Sequence, residues 1–481
     1  MPQTSVINDL LNAISDTGLF GERRRRRPGR DALKDMIDAV LSGRGEASSI
    51  ERGAEFLRTY RDLDYAGRTF VFRTLAADYG PDPDRLTEAA AAYVEAPDQT
   101  AAKALQKAAE PKRVELFRRL NHVQGGTQAL VAMRCELTER VKNHPELWLV
   151  DDDMRRLFNA WFNRGFLELR QISWQTSAAI LEKIIRYEAV HAINGWDDLR
   201  LRIDVPDRRL FAFFHPRLED EPLIFVEVAL TDEVPTAIAP ILAPKRDYLD
   251  PSKANTAAFY SINNCQDGLR GISFGSFLIK QVASDLAKEL PDLKTFVTLS
   301  PMPGFAGWLA AEAERSPSAV DEGARAILQK LGGAESLEDP SEAKGIEASL
   351  LPLAAHYLSV ARDKKGRMAD PVARFHLGNG ARLEQINFAA DLSQNGWAAS
   401  HGMMVNYRYV LADVEANHEA FVADGRVAAT TAVQRLARSV RLEKRGAMSE
   451  SEPLQIAHQT PEQPHAAEGP NNEPENEKAD A

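Results

Sequence analysis

Cysteine is scarce in this chain: Cys135 and Cys265 are the only two in 481 residues. They allow at most one intrachain disulfide, which excludes a secreted scaffold built on disulfides. Cys265 adjoins a glycine-rich turn and reads as a packed thiol; a disulfide between subunits stays open. The sequence has no CxxC pair, no HExxH helix and no calcium-loop pattern, and its ten histidines are scattered without ligand spacing. No metal site is expected from that pattern. Apolar runs of about twenty residues are missing too, which excludes a membrane-spanning helix. The first twenty residues lack the basic start and long apolar core of a signal peptide, and Asp9 and Asp16 argue against a transit peptide. The last residues are Ala-Asp-Ala rather than the peroxisomal Ser-Lys-Leu. A cytoplasmic location is the expectation.

Basic character is also lacking. The formal net charge is −11, and from Gly446 to Ala481 eight acids against one base account for −7 of it. That tail is rich in Glu, Pro, Gln and Asn, so residues 446–481 are expected to be disordered and to serve solubility. Arg23 to Arg27 form a run of five arginines before Pro28. No aromatics interleave with it and the rest of the chain is acidic, so it reads as a solvated loop rather than a nucleic-acid or membrane contact.

What is present fits an enzyme of two folded parts. From Ser5 to Phe166 alanine, leucine, arginine and glutamate recur at helical spacing, as in Arg52–Leu63 and Arg85–Val94, with breaks near Pro81 and Pro145. Residues 1–166 are therefore expected to be an all-α helical bundle that supports or oligomerises the rest. From Leu167 strands are expected: Leu199–Ile203, Arg209–Phe214 and Leu223–Leu230. A helical insertion follows Trp308 and reaches about Ala361, with a weak loop at Gly332–Lys344. The expected class is α+β, with residues 167–445 as a mixed α/β domain.

The most informative stretch runs from Ala258 to Leu309. Ala258–Asn263 has strand composition, and Lys294–Leu299 is a second strand rich in Thr, Phe and Val. Between them Phe277, Leu278, Val282, Leu286 and Leu290 fall on one helical face, with Ser276 near the start and Pro291 at the stop. Strand, helix and strand in that order favour a parallel pair with a right-handed crossover. Gly268, Gly271 and Gly275 occupy the first turn, ahead of a helix N-terminus and beside Arg270. Such a turn suits a phosphate, yet it is neither GxGxxG nor a P-loop. The residues alone leave phosphate binding and an ordinary turn open. Ser300 stands at the end of the second strand, before Pro301-Met302-Pro303-Gly304; alone, it reads first as a turn residue. His376, between Phe375 and Leu377, reads alone as a packed histidine, followed by the Asn379-Gly380 turn signal. His401, before Gly402, reads as a turn or packing residue.

Longer motifs change the weight of these residues. LRGISFGSFLIKQV (269–282), TFVTLSPMPGF (295–305) and FHLGNGARLEQINFAADLSQNGWAASHGMMVNYRYVL (375–411) resemble the malonyl-CoA decarboxylase family. So do GFLELRQISWQTSAAILEKIIRYEAVHAINGWDDLRLRI (165–203) and EPLIFVEVALT (221–231). The resemblance covers roughly residues 151–411. It implies a helical N-terminal domain and a catalytic domain of the acetyltransferase (GNAT) type, whose turn after the fourth strand holds the CoA pyrophosphate. It implies that Arg270, Gly271, Ile272, Ser273, Phe274, Gly275 and Ser276 contact CoA. It further implies that Ser300 meets the malonyl group, that His376 donates the proton, and that Tyr409, more than Tyr407, lies near the site. Ser273 stands where some relatives have a glutamate, which puts a carboxylate's help there in doubt. The implied partner is malonyl-CoA and the implied assembly a homotetramer, in fatty acid or malonate metabolism.

The chemistry suits these side chains. Loss of CO2 from malonyl-CoA moves an electron pair into the thioester carbonyl, and the resulting enolate is protonated at C2. The thioester is itself the electron sink, so neither cofactor nor metal is expected, CoA being part of the substrate. A histidine with an ordinary pKa of about 6.5 suits the protonation at neutral pH. The competing expectations are an N-acyltransferase on the same fold, which needs an amine pocket, and a CoA-binding regulatory protein without turnover.

Overall fold

The computed structural model describes residues 29–43, 45–272 and 278–442. The Arg23–Arg27 run, the tail from Gly446, and Ser273, Phe274, Gly275 and Ser276 of the expected CoA turn lie outside the described residues. Helices come first: α1 (Arg30–Ser42), α2 (Glu46–Asp62), α3 (Tyr65–Asp78), α4 (Pro83–Glu95), α5 (Gln99–Ala108), α6 (Lys112–His122), α7 (Gly126–Val141) and α8 (Trp148–Trp161). The expected segments Arg52–Leu63 and Arg85–Val94 fall on α2 and α4. Aspartates 64, 82 and 98 cap α3, α4 and α5 by accepting a backbone N–H of the first turn.

The sheet follows. Its strands are β1 (Glu168–Ile172), β2 (Arg208–Phe214), β3 (Ile224–Thr231), β4 (Thr256–Asn264), β5 (Thr295–Thr298), β6 (Ser300–Pro301), β7 (Arg382–Asn387) and β8 (Met404–Arg408). β1 to β4 form an antiparallel meander, β4 and β5 are parallel, and β8 runs antiparallel to β5, β6 and β7. Between the strands lie α9 (Ala178–Tyr187), α10 (Trp196–Ile203), α11 (Ala239–Leu242), α12 (Leu278–Glu289), α13 (Phe305–Ala313), α14 (Glu322–Lys330), α15 (Pro340–Ser359), α16 (Pro371–Gly378) and α17 (Gln394–Ser400); α18 (Val414–Asp424) and α19 (Thr431–Ser439) follow β8. This is the expected architecture, helices first and a mixed α/β part second.

The β4–α12–β5 crossover bears out the strand–helix–strand reading. Leu278, Ile279, Val282, Ala283 and Leu286 of α12 are buried. Full burial of one such large aliphatic side chain is worth about 1.5–3 kcal/mol, so this face anchors the helix in the main core. Two local expectations fail. Leu199–Ile203 is the end of α10 and not a strand. Its alternating Leu-Arg-Leu-Arg-Ile pattern mimics a strand, but Leu199, Arg202 and Ile203 share one buried helical face. Asp197 and Asp198 in the first turn and Arg200 and Arg202 in the last also suit the helix dipole. The expected loop at Gly332–Lys344 is shorter, because Asp339 caps α15, which starts at Pro340.

One irregularity shapes the sheet centre. In the β3–β4 ladder Val228 opposes Phe259 and Glu227 opposes Ser261, so Tyr260 is an extra residue. The bulge is secured from behind by buried polar groups. Glu188 accepts Ser261 Oγ at 2.8 Å and Asn263 Nδ2 at 2.7 Å, while Arg202 Nη1 donates to Glu227 at 2.8 Å. Burial pushes Glu227 up to about 7, against the pull of Arg202 and with Glu188 adding to the rise. At this same level β4 and β5 separate. Their parallel register ends at Phe259↔Thr298, and Ser300 pairs instead with Val405 of β8.

Candidate active site

Ser300 lies just past that separation. Thr298 and Ser300 are two residues apart on extended backbone and therefore face the same side. Ser300 Oγ donates to Thr298 Oγ1 at 2.9 Å, and the Tyr407 backbone N–H donates to the same oxygen at 3.2 Å. His376 comes from α16, which begins at Pro371 with Asp370 as its cap; Asp370 Oδ1 accepts the Ala373 N–H at 2.7 Å. The helix carries the imidazole to Ser300, with Nε2 3.2 Å from Oγ. On its other side Nδ1 lies 2.9 Å from the Tyr409 hydroxyl. Tyr407 stacks on the ring, centroids 4.6 Å apart and planes 23° from parallel.

Donor directions form one consistent chain. With Ser300 donating to Thr298, its oxygen accepts from His376 Nε2–H, and His376 Nδ1 accepts the Tyr409 O–H. Burial drives the tyrosine hydroxyl well above its ordinary range, so it stays protonated. Ser300, His376, Tyr407 and Tyr409 are all buried. The expectation of a histidine titrating near neutrality is corrected here. Burial alone lowers His376 to about 3, because among the described residues no carboxylate touches the ring to favour its charged form. In the free protein the imidazole is neutral at physiological pH.

Behind the ring Tyr357 donates to Asp370 Oδ2 at 3.2 Å. Asp370 is raised by burial, against the pull of the Ala373 N–H and Tyr357. Asn406 donates to the Thr298 carbonyl at 2.8 Å and accepts from Asn387 at 2.6 Å, fixing the strand end that carries Ser300.

The structure thus brings Ser300, His376 and Tyr409 into one chain, stacks Tyr407, the weaker of the two expected tyrosines, on the ring, and adds Thr298. Thr298 was legible in principle, two residues before Ser300 on the same strand face. Of the expected CoA turn, Arg270, Gly271 and Ile272 are described. Arg270 is exposed and pairs with Asp267 at 2.7 Å, and Gly271 has φ +77°. Cys265 is buried, both cysteines are free, and burial raises the Cys265 thiol, as a packed residue requires. His401 caps α17 with φ +51°, a turn residue as expected. Among the described residues no cluster of three or more His, Cys, Asp or Glu is arranged to hold a metal ion, and no helix is long and apolar enough to cross a membrane. A cavity of about 570 Å³ among Arg30, Lys34, Phe70 and Arg73 shares no residue with the serine–histidine pair.

The buried Ser–His–Tyr chain thus stands where two parallel strands part, in a mixed α/β sheet domain that follows a helical N-terminal part. Two family models match: the malonyl-CoA decarboxylase N-terminal domain over residues 79–162 and its C-terminal domain over residues 165–448. The chain belongs to the malonyl-CoA decarboxylase family. It is 34% identical over 416 residues to mitochondrial malonyl-CoA decarboxylase of Anser anser anser, covering 79% of this chain and 82% of that one. The Rattus norvegicus protein is 31% identical, with 78% and 83% covered. Among solved structures, malonyl-CoA decarboxylase from Rhodopseudomonas palustris is 51% identical with a TM-score of 0.81, covering 85% of this chain and all of that one. The enzyme from Agrobacterium vitis is 50% identical with a TM-score of 0.80, with 84% and 99% covered.

Proposed function

We propose that the chain converts malonyl-CoA to acetyl-CoA and CO2, with Ser300 and His376 at the reacting malonyl group. The observation that carries this is the Ser300–His376–Tyr409 chain, formed by residues from the TFVTLSPMPGF and FHLGNGARLEQINFAADLSQNGWAASHGMMVNYRYVL segments. In this reading Ser300 holds the carboxylate so that the breaking C–C bond aligns with the thioester π system. The electron pair enters the carbonyl, CO2 departs and C2 is protonated. One donor aimed at the developing oxyanion is commonly worth about 3 kcal/mol.

The net reaction consumes one proton, and a histidine lowered to about 3 does not hold it beforehand. The substrate resolves this. Its carboxylate brings a negative charge to a buried, neutral imidazole, and a nearby opposite charge favours the protonated ring. His376 thus takes up a proton as malonyl-CoA binds, passes it from Nε2 to C2 and ends neutral again. Tyr409 turns its oxygen to the Nδ1–H of the charged ring. The amide-bearing arm of CoA runs along β4 beyond Phe259, where β5 no longer pairs, and its phosphates meet the turn at Arg270–Ile272. The thioester serves as electron sink, so the reaction draws on no metal or added cofactor. The reading extends to a homo-oligomer, a tetramer by family resemblance, in the cytoplasm.

The test is conversion of malonyl-CoA by purified protein without metal or nucleotide, followed by mass spectrometry. Acetyl-CoA is expected from the parent. His376→Ala and Ser300→Ala should each lose about 10²–10⁴ in kcat, the usual range for a positioned acid or donor, while still binding CoA. A folded, CoA-binding parent that forms no acetyl-CoA would reject the reading and direct attention to amine acceptors.

A further inference from the structure

The turn after β4 rests on the helical part of the molecule, and this contact uses a buried charge that the chemistry above leaves unused. Arg134 on α7 is 2% exposed. Its Nε donates to Asp151 Oδ1 at 2.8 Å, and its Nη1 donates to the carbonyls of Gly268 at 2.7 Å and Arg270 at 3.0 Å. A Cβ on Gly268 would lie 1.9 Å from the Val131 carbonyl oxygen, so the turn meets the backbone of α7 directly. Gly271 differs. A Cβ there would meet no atom of the described residues within 4 Å, but its φ of +77° disfavours any side chain. Gly268 is thus fitted to the helix beneath, and Gly271 lies on the open side.

Peptide planarity gives this contact a direction. In a trans peptide the carbonyl of residue i and the N–H of residue i+1 point opposite ways. Arg134 holds the Arg270 carbonyl inward, which turns the Gly271 N–H outward. The guanidinium also sets a positive charge beneath that N–H, with Arg270 exposed beside it. An exposed pair such as Arg270–Asp267 contributes little in water, so Arg270 can exchange Asp267 for a phosphate at little cost.

We propose that Arg134 is a positioning residue for CoA: from the helical domain it fixes the peptide orientation of the turn and so presents the Gly271 N–H and Arg270 to the CoA pyrophosphate. The proposal rests on the reading that this turn takes the CoA phosphates. The helical domain then contributes to substrate binding without touching the reacting atoms.

A substrate pair tests it: malonyl-CoA, and malonyl-pantetheine, which lacks the pyrophosphate. In Arg134→Met the KM for malonyl-CoA is expected to rise about tenfold, the equivalent of one lost charge-assisted contact, with kcat little changed. Kinetics on malonyl-pantetheine should match the parent, and Arg134→Lys should recover part of the lost affinity. If Arg134→Met does not fold, Arg134→Lys carries the test, with a smaller KM rise confined to malonyl-CoA. Equal losses on both substrates, or no change on either, would overturn the proposal. A parent that uses the two substrates equally well would instead refute the phosphate reading of the turn, and this proposal with it.

Discussion

Tyr409 and Tyr407 hold the same imidazole in different ways, and substitution separates them. Tyr409 bonds Nδ1, so Tyr409→Phe leaves a buried ring nitrogen unsatisfied at a cost of about 1–3 kcal/mol. Its kcat is expected to fall about tenfold or more, with CoA affinity retained, in steady-state assays and CoA titration. The Tyr407 hydroxyl is buried and has no hydrogen-bond partner among the described residues. Tyr407→Phe keeps the stack and removes an unpaired polar group, so activity should persist and the melting temperature should stay level or rise. Tyr407→Leu removes the stack and should lower kcat with little effect on KM. Equal kinetics in the two Tyr407 variants would rule out orientation by the ring. Proton uptake is a third residue-level expectation. Calorimetry in buffers of different ionisation heat should show about one proton taken up with a carboxylate-bearing malonyl-CoA analogue that cannot lose CO2, from the carboxylate's effect on the ring, and none with acetyl-CoA.

At the scale of elements, legibility followed sequence distance. The β4–α12–β5 unit was readable because its periodicity, turn glycines and prolines are local. Ser300 and His376 are legible through the motifs around them, while their spacing alone reads as a turn serine and a packed histidine. The sequence of α10 mimics a strand because Leu-Arg-Leu-Arg-Ile satisfies a two-residue and a three-to-four-residue period at once, and buried contacts decide between them. The neutral state of His376 has no sequence signal: it follows from burial without a carboxylate neighbour among the described residues, which only tertiary packing sets. Arg134 was hidden for a similar reason, since its acceptors at Gly268 and Arg270 lie far along the chain.

For the whole molecule, two buried groups tilt stability with pH in opposite senses. His376 sits below its ordinary 6.5, at about 3. The unfolded chain therefore binds the extra proton between those values, and this contribution is present above 6.5 and lost as pH falls toward 3. A tenfold difference in proton affinity between the folded and unfolded chain corresponds to about 1.4 kcal/mol. Glu227 sits above its ordinary 4.5, at about 7, so its contribution is present below 4.5 and lost as pH rises through 7. Urea unfolding from pH 4 to 8 should show His376→Gln flattening the acid limb and Glu227→Gln flattening the neutral limb. Unchanged limbs would mean that neither group titrates as described.

The contact between Arg134 and the turn also bears on how the chain is made. During synthesis α7 leaves the ribosome well before Gly268 and Arg270 exist, so Arg134 can pair with Asp151 early while its Nη1 remains hydrated until the sheet has formed. Closing so long a loop comes late in folding, because its entropy is lost before the contact is gained. Capacity to bind CoA would then be among the last properties a new chain acquires. A CoA-affinity resin would select chains whose two halves have both matured, and would pass over those in which only one has.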